Sequence, residues 1–218
     1  MTNNILIIAA HSDDQTIGPG GTAAKYAKEG FDVRTVIFSK GEISYPHFQE
    51  KIIVGTREKE ALRADKIIGG KGVKFLGVLE KDFNKEVEIY KAKTQLERVI
   101  KKLRPTKIFT HSPDDPHPAH RKISTLTLEI VDSLPWQLEV YGFDIWSPFK
   151  FKKKTFPTLV VDITDTFDIK IHALKAFKSQ FSLHNFLNFF PLGITLFKNW
   201  SSGWKYKYKY AEVFYRLR

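Results

Sequence analysis

The chain has 218 residues, 42% of them hydrophobic and 27% charged, which fits one globular domain with a buried core and excludes a disordered chain. It has no cysteine, so disulfide scaffolds, thiolate metal sites and cysteine nucleophiles are excluded together, and any metal must be held by His, Asp or Glu. The net charge is +11 and falls mostly at the end, where residues 151–218 carry 12 Lys/Arg against 4 Asp/Glu, a balance that favours anionic partners.

Asn4–Ala10 (NILIIAA) opens the chain as a continuous apolar run, the pattern of a strand buried on both faces. It is too short to span a membrane and lacks the basic flank of a signal peptide, so a cytoplasmic protein is expected. A helix is predicted over Gly18–Lys28, closed by Gly30 where a left-handed cap is wanted. Phe31–Ser39 is a second strand, Arg57–Ile68 a helix, and Val73–Leu76 a short strand. Thr94–Leu103 reads as a helix ending before Pro105, with Thr94 and Glu97 at capping-box spacing. Lys107–His111 is a further strand. His117–Leu134 is a helix with Ile123, Leu126, Ile130 and Leu134 along one stripe.

Strands alternating with helices at this spacing imply right-handed crossovers. The fold class expected is α/β, a Rossmann-like and mostly parallel sheet with helices on both faces. Beyond Leu138 the chain turns β-rich. Leu138–Trp146 and Thr158–Ile163 are predicted strands, followed by a helix capped by Thr164 or Asp165 with an apolar face of Phe167, Ile171, Leu174, Phe177 and Phe181. Residues 181–204 read as a loop-like aromatic stretch. Lys205–Tyr210 alternates Lys and Tyr as a final or edge strand would. No repeat, low-complexity tract or linker interrupts the chain, so a single domain over 1–218 is expected.

In a parallel sheet the functional residues gather beyond the C-terminal ends of the strands. Two such places are rich in His and Asp. The first is His11-Ser12-Asp13-Asp14, where an imidazole and two carboxylates follow a strand within four residues. A strand-to-loop turn lets His11 and Asp14 converge on one ion while Asp13 points elsewhere; alternatively, Asp13 or Asp14 simply caps the next helix. The second runs from His111 to His120 (HSPDDPHPAH), with three histidines and two aspartates. It supplies a third ligand from a strand end that the sheet could bring beside the first. Zinc suits such a mixture of nitrogen and carboxylate oxygen, and a catalytic zinc needs only three protein ligands. Gly18-Pro19-Gly20-Gly21 lacks the spacing of a nucleotide-binding loop and reads as tight packing against this site.

These residues resemble the PIG-L/LmbE-type zinc deacetylases, which act on N-acetylglucosamine-containing substrates. The family's opening His-Pro-Asp-Asp-Glu and following glycines correspond to His11-Ser12-Asp13-Asp14-Gln15 with Gly18, Gly20 and Gly21. Its Arg-x-x-Glu helix corresponds to Arg57, Glu60, Ala61, Ala64 and Gly69, and its His-Pro-Asp-His to His117-Pro118-Ala119-His120. Weaker echoes in Tyr141–Trp146, Val161–Ile163, Lys170–Gln180 and Ala211–Phe214 extend the resemblance to the C-terminus.

The resemblance implies a zinc ion on His11, Asp14 and His120, with Asp13 as the general base toward the zinc-activated water. His117 would stabilise the oxyanion or protonate the leaving amine, and Arg57 would contact sugar hydroxyls. The implied activity is removal of an N-acetyl group from an amino-sugar conjugate. The alternatives are a weakened sugar- or metal-binding module of the same fold, or an amidase for a bulkier acyl group. Three positions depart from the pattern: Ser12 for proline, Gln15 for glutamate and Ala119 for aspartate. The last removes a carboxylate that could orient His117, a place that Asp114 or Asp115 could fill from the preceding loop. A nucleic-acid partner is disfavoured. The aromatic stretch 181–204 points to core packing or a homo-oligomer interface, a flap over the sugar, or contact with a membrane surface or lipid-linked sugar.

Overall fold

The structure, a computed structural model, describes residues 3–39, 50–145, 158–179 and 186–218, without the side chains of 50–53 and 186–191. The strands are β1 (Asn4–Ala9), β2 (Asp32–Ser39), β3 (Val73–Val78), β4 (Lys107–His111), β5 (Glu139–Phe143), β6 (Thr158–Asp162) and β7 (Ala211–Arg216). The helices are α1 (Asp14–Ile17), α2 (Gly20–Lys28), α3 (Glu50–Ile68), α4 (Glu86–Leu103), α5 (Pro118–Asp132), α6 (Phe167–Leu174) and α7 (Phe186–Tyr206). The seven strands form one sheet in the order β3-β2-β1-β4-β5-β7-β6. The first five in that order are parallel, while β7 runs antiparallel to both β5 and β6.

The apolar run of β1 has a direct structural cause. Side chains alternate across a strand. Ile5, Ile7 and Ala9 pack into one core with Ala23 and Ala24 of α2, Ala61, Ala64 and Ile68 of α3, and Ala173 of α6. Leu6 and Ile8 face the other way, into a second core with Ile89, Leu96 and Ile100 of α4 and Ile123, Leu126 and Ile130 of α5. Both faces are therefore covered by helices, as the sequence predicts. β1 lies between β2 and β4, so crossovers leave it in opposite directions and open a crevice at the C-terminal ends of β1 and β4.

Several boundaries differ from expectation. The predicted helix over Gly18–Lys28 is two pieces, because α1 closes at Gly18 and α2 restarts at Gly20 after Pro19. A Cβ at Gly18 would lie 2.5 Å from the Phe143 ring, and one at Gly21 would lie 2.7 Å from Ile163, so these glycines let the turn press onto the sheet. Gly30 takes φ +87°, as expected of a left-handed cap. α4 begins at Glu86, two turns before Thr94; the Thr94 hydroxyl donates to the Tyr90 carbonyl inside the helix and forms no capping box. Neither Thr164 nor Asp165 caps α6 through its side chain. Instead Asp162 accepts from the Thr164 amide and hydroxyl.

The largest corrections are at the C-terminal end. Residues 186–206 form a helix, where a loop-like stretch was expected. Lys205–Tyr210 is the end of that helix and a turn through Lys207 at φ +65°. The strand follows it, at Ala211, and it is interior to the sheet. Period-two alternation over six residues could not separate these cases, since a helix end and a left-handed turn carry no apolar period of their own. Phe181 and Trp146 lie outside the described residues.

Candidate active site

β1 ends at the crevice and hands the chain to a tight turn. Asp13 stands at the N-cap of α1, yet its side chain makes no capping bond; its backbone carbonyl accepts from the Thr16 and Ile17 amides. The capping alternative for Asp13 therefore fails, and its carboxylate is left for other work. Asp14 opens α1. Its Oδ2 accepts from the His11 backbone N–H at 2.8 Å and lies 3.2 Å from His11 Nδ1. From β4 the chain passes through residues 112–117 into α5, whose first turn carries His120 with 0% exposure. His120 Nε2 lies 3.2 Å from His11 Nδ1 and 3.4 Å from Asp14 Oδ2.

Three donor atoms thus form a triangle with sides of 3.2, 3.2 and 3.4 Å. Zinc–nitrogen and zinc–oxygen bonds of about 2.0–2.2 Å at tetrahedral angles require donors about 3.3 Å apart. The triangle has that size. Two overlapping sets of potential ligands crowd the same point, His11, His117 and His120 in one and Asp14, His111 and His120 in the other. His111 is a poor ligand in this arrangement, because its Nε2 already accepts the Ala10 amide at 2.9 Å. Its ring lies flat against that of His120, centroids 3.9 Å apart, and serves as a wall.

The electrostatics point to a cation. Burial alone would raise the Asp14 carboxyl, but His120, His11 and His111 around it hold it well below the usual carboxylate range. Burial opposes a charge on His120, yet Asp14 and Asp115 on its two sides outweigh that and push it up to about 10. A group held charged in a buried site marks a strong negative field, which a divalent ion satisfies as well as a proton. His111 is pushed down to about 4 by burial and by His120. The Asp13 carboxyl is raised by burial, partly offset by Arg57.

Asp115 completes the arrangement. Its Oδ1 faces His120 Nδ1 at 2.9 Å and accepts the His117 amide at 3.0 Å, while Oδ2 accepts the Ile145 amide at 3.1 Å. A carboxylate on Nδ1 fixes the tautomer that leaves Nε2 free for a metal. Asp115 therefore occupies a different place from the one considered for it: it serves the ring of His120, while of His117 it holds only the backbone. His117 is pushed down by burial, then by His120 and His11, and its Nδ1 is buried with no hydrogen-bond partner among the described residues. Ala119 is buried within the second apolar core.

Arg57 is 4% exposed and turned toward the motif loop. Its Nε donates to the Ser12 hydroxyl at 3.0 Å, and its Nη2 lies 3.6 Å from Asp13 Oδ1. The serine in place of proline thus gains a bond that proline could not make. Sequence reasoning missed a second buried pair. Lys170 of α6 donates to Glu212 of β7 at 2.6 Å and to the Ile17 and Gly18 carbonyls at the end of α1. Glu212 in turn accepts the Gly21 and Thr22 amides at the start of α2. The signal was a lysine inside an apolar helix pattern and a glutamate inside a strand, at 0% and 3% exposure.

The chain is thus an α/β protein whose parallel sheet carries, at its switch point, a His/Asp cluster able to hold a divalent ion. Residues 6–131 match the PIG-L family, described as GlcNAc-PI de-N-acetylase, and the chain belongs to that family. A diacetylchitobiose deacetylase from Thermococcus kodakarensis is 30% identical over 193 residues, covering 81% of this chain and 70% of that protein. The structure of an N,N'-diacetylchitobiose deacetylase from Pyrococcus horikoshii superposes with a TM-score of 0.82 at 23% identity, over 99% of this chain and 84% of the other. A 4-carboxy-2-hydroxymuconate hydratase from Pseudomonas putida superposes with a TM-score of 0.77 at 21% identity, over 99% and 96%. The fold by itself therefore does not fix the reaction.

Proposed function

We propose that the protein is a zinc-dependent N-deacetylase that removes the acetyl group from an N-acetylglucosamine-type conjugate. The observation that carries this reading is the triangle of His11 Nδ1, Asp14 Oδ2 and His120 Nε2, backed by Asp115 on the far nitrogen of His120. The 30% identical deacetylase from Thermococcus kodakarensis favours deacetylation over the hydratase chemistry that the same fold also hosts.

His11, Asp14 and His120 would hold the ion. When bound, a zinc ion there supplies Lewis acidity and a water acidified to a pKa near 7. Asp13 takes the proton of the attacking water and returns it to the amine nitrogen as the C–N bond breaks, since its carboxylate is neither a cap nor a ligand and burial keeps it basic. Arg57 opposes that burial and holds Asp13 in place, an orienting role that leaves contact with the sugar as an additional one. His117, kept neutral by burial and by its imidazole neighbours, acts as a hydrogen-bond donor to the developing oxyanion. A neutral donor needs no carboxylate behind it, which accounts for Ala119.

The test is acetate release from a panel of N-acetylglucosamine conjugates in the presence of zinc, beside Asp13→Asn and His120→Ala. Release lost in both variants supports the reaction and the roles. No release from the wild type, with one zinc bound per chain, would move the reading to a binding module or a bulkier acyl group.

A further inference from the structure

α7 is amphipathic in the unexpected sense. Its inner face is small and polar: Thr195, Asn199 and Gly203 are buried at four-residue spacing. Asn199 donates to the Ala211 carbonyl at 3.1 Å, and a Cβ on Gly203 would lie 2.6 Å from the Lys209 carbonyl oxygen, so this face fits closely onto the segment that enters β7. The outer face carries the large apolar groups. Leu196, Phe197, Trp200 and Trp204 are 37%, 44%, 53% and 79% exposed, and Tyr208 continues the stripe beyond the helix at 43%. Exposed Lys205, Lys207 and Lys209 surround its C-terminal end. From Ile169 to Ala211 the chain has seven lysines and no Asp or Glu.

We infer that the outer face of α7 docks onto an anionic lipid surface. Tryptophan and tyrosine settle at the level of lipid headgroups, and lysines beside them reach anionic phosphates. Among the described residues no helix is long and apolar enough to cross a membrane, so α7 lies along the surface. The rival occupant, a second copy of the chain, is disfavoured by charge. A two-fold contact sets a patch against itself. That would bring Lys205, Lys207 and Lys209 toward their own copies with no acidic residue in the segment to offset them. The docking is independent of the chemistry at the metal site.

The test is flotation of the full chain with vesicles of phosphatidylcholine alone and with about one-third phosphatidylglycerol. Binding to the anionic vesicles is expected, weakening as salt rises. Lys205→Glu/Lys207→Glu/Lys209→Glu is expected to lower the partition coefficient about a hundredfold or more, and Trp200→Ser/Trp204→Ser to lower it at least about tenfold. Thermal melts of both variants establish that they fold. Failure to bind either vesicle would overturn the inference, as would binding that ignores the lysine reversal. A dimer in light scattering that Trp204→Ser turns into a monomer, with no vesicle binding, would assign the face to a second copy instead.

Discussion

Asp115 shows how much one side chain decides here. It reads the far nitrogen of His120 and two backbone amides, and every one of its contacts is made inside the protein. Asp115→Asn is expected to weaken zinc binding by about 10–100-fold, measured by competition with a chromophoric chelator, while the thermal melt shows a folded chain. Unchanged affinity would mean that His120 is oriented by something else. Asp13→Asn separates chemistry from binding: turnover should fall by about 10²–10⁴-fold with zinc still bound one per chain. His11, Asp13 and Asp14 were legible in the sequence because they are adjacent and follow an obvious strand. His111 and Asp115 were not, although both stood in the same cluster. Whether an imidazole is a ligand depends on which nitrogen already holds a proton or accepts one. His111 is set aside by a bond to the Ala10 amide, a hundred residues away, which no local pattern encodes.

At the scale of elements, the loop that carries His11 and Asp14 is pinned from behind by two elements that supply none of the proposed ligands. Lys170 from α6 closes the end of α1, and Glu212 from β7 caps the start of α2. Burial pulls the Lys170 ammonium down, and Glu212 restores part of it. Lys170→Met would leave Glu212 buried without its cation, and is expected to cost about 3–5 kcal/mol in denaturant unfolding. The double variant Lys170→Met/Glu212→Gln removes the stranded charge and should be less destabilised than the single one. A loss in the double variant equal to the sum of those in Lys170→Met and Glu212→Gln alone would show that the pair is not coupled. The strands and the helices of the first 134 residues were legible because each carries a full period of apolar residues facing a core. The start of α4 was missed since its first turns, Glu86–Lys93, bury only Ile89 and Ala92. α7 was missed for the opposite reason: Leu196, Phe197, Trp200 and Trp204 face outward, so no buried apolar stripe marks this part of the helix.

For the molecule as a whole, stability should depend on pH through a group far from the metal site. Asp65 of α3 accepts the Gly72 amide at 3.1 Å, and burial pushes its carboxyl up to about 6. An unfolded aspartate titrates near 3.9. Between those values the folded chain binds more protons than the unfolded one, so Asp65 makes stability fall as pH rises through about 4 to 6 and keeps it low above that window. Asp65→Asn should remove this slope and stabilise the protein at pH 7 by about 1–3 kcal/mol, measured by urea unfolding across the range. A variant with an unchanged slope would show that Asp65 is not the cause. The sheet order was only partly legible. Alternation predicted a parallel sheet, but nothing local says that β7 inserts between β5 and β6, and that insertion is what brings Glu212 behind the motif loop.

The central claim is that His11, Asp14 and His120 hold one zinc ion on which deacetylation depends. The most direct measurement is acetate release from an N-acetylglucosamine conjugate as zinc is titrated into metal-stripped protein, with Asp14→Ala beside it. Release that is absent from stripped protein, rises to a plateau at one ion per chain, and never appears in Asp14→Ala is the predicted result. Release that survives stripping, or that Asp14→Ala retains, would contradict the account.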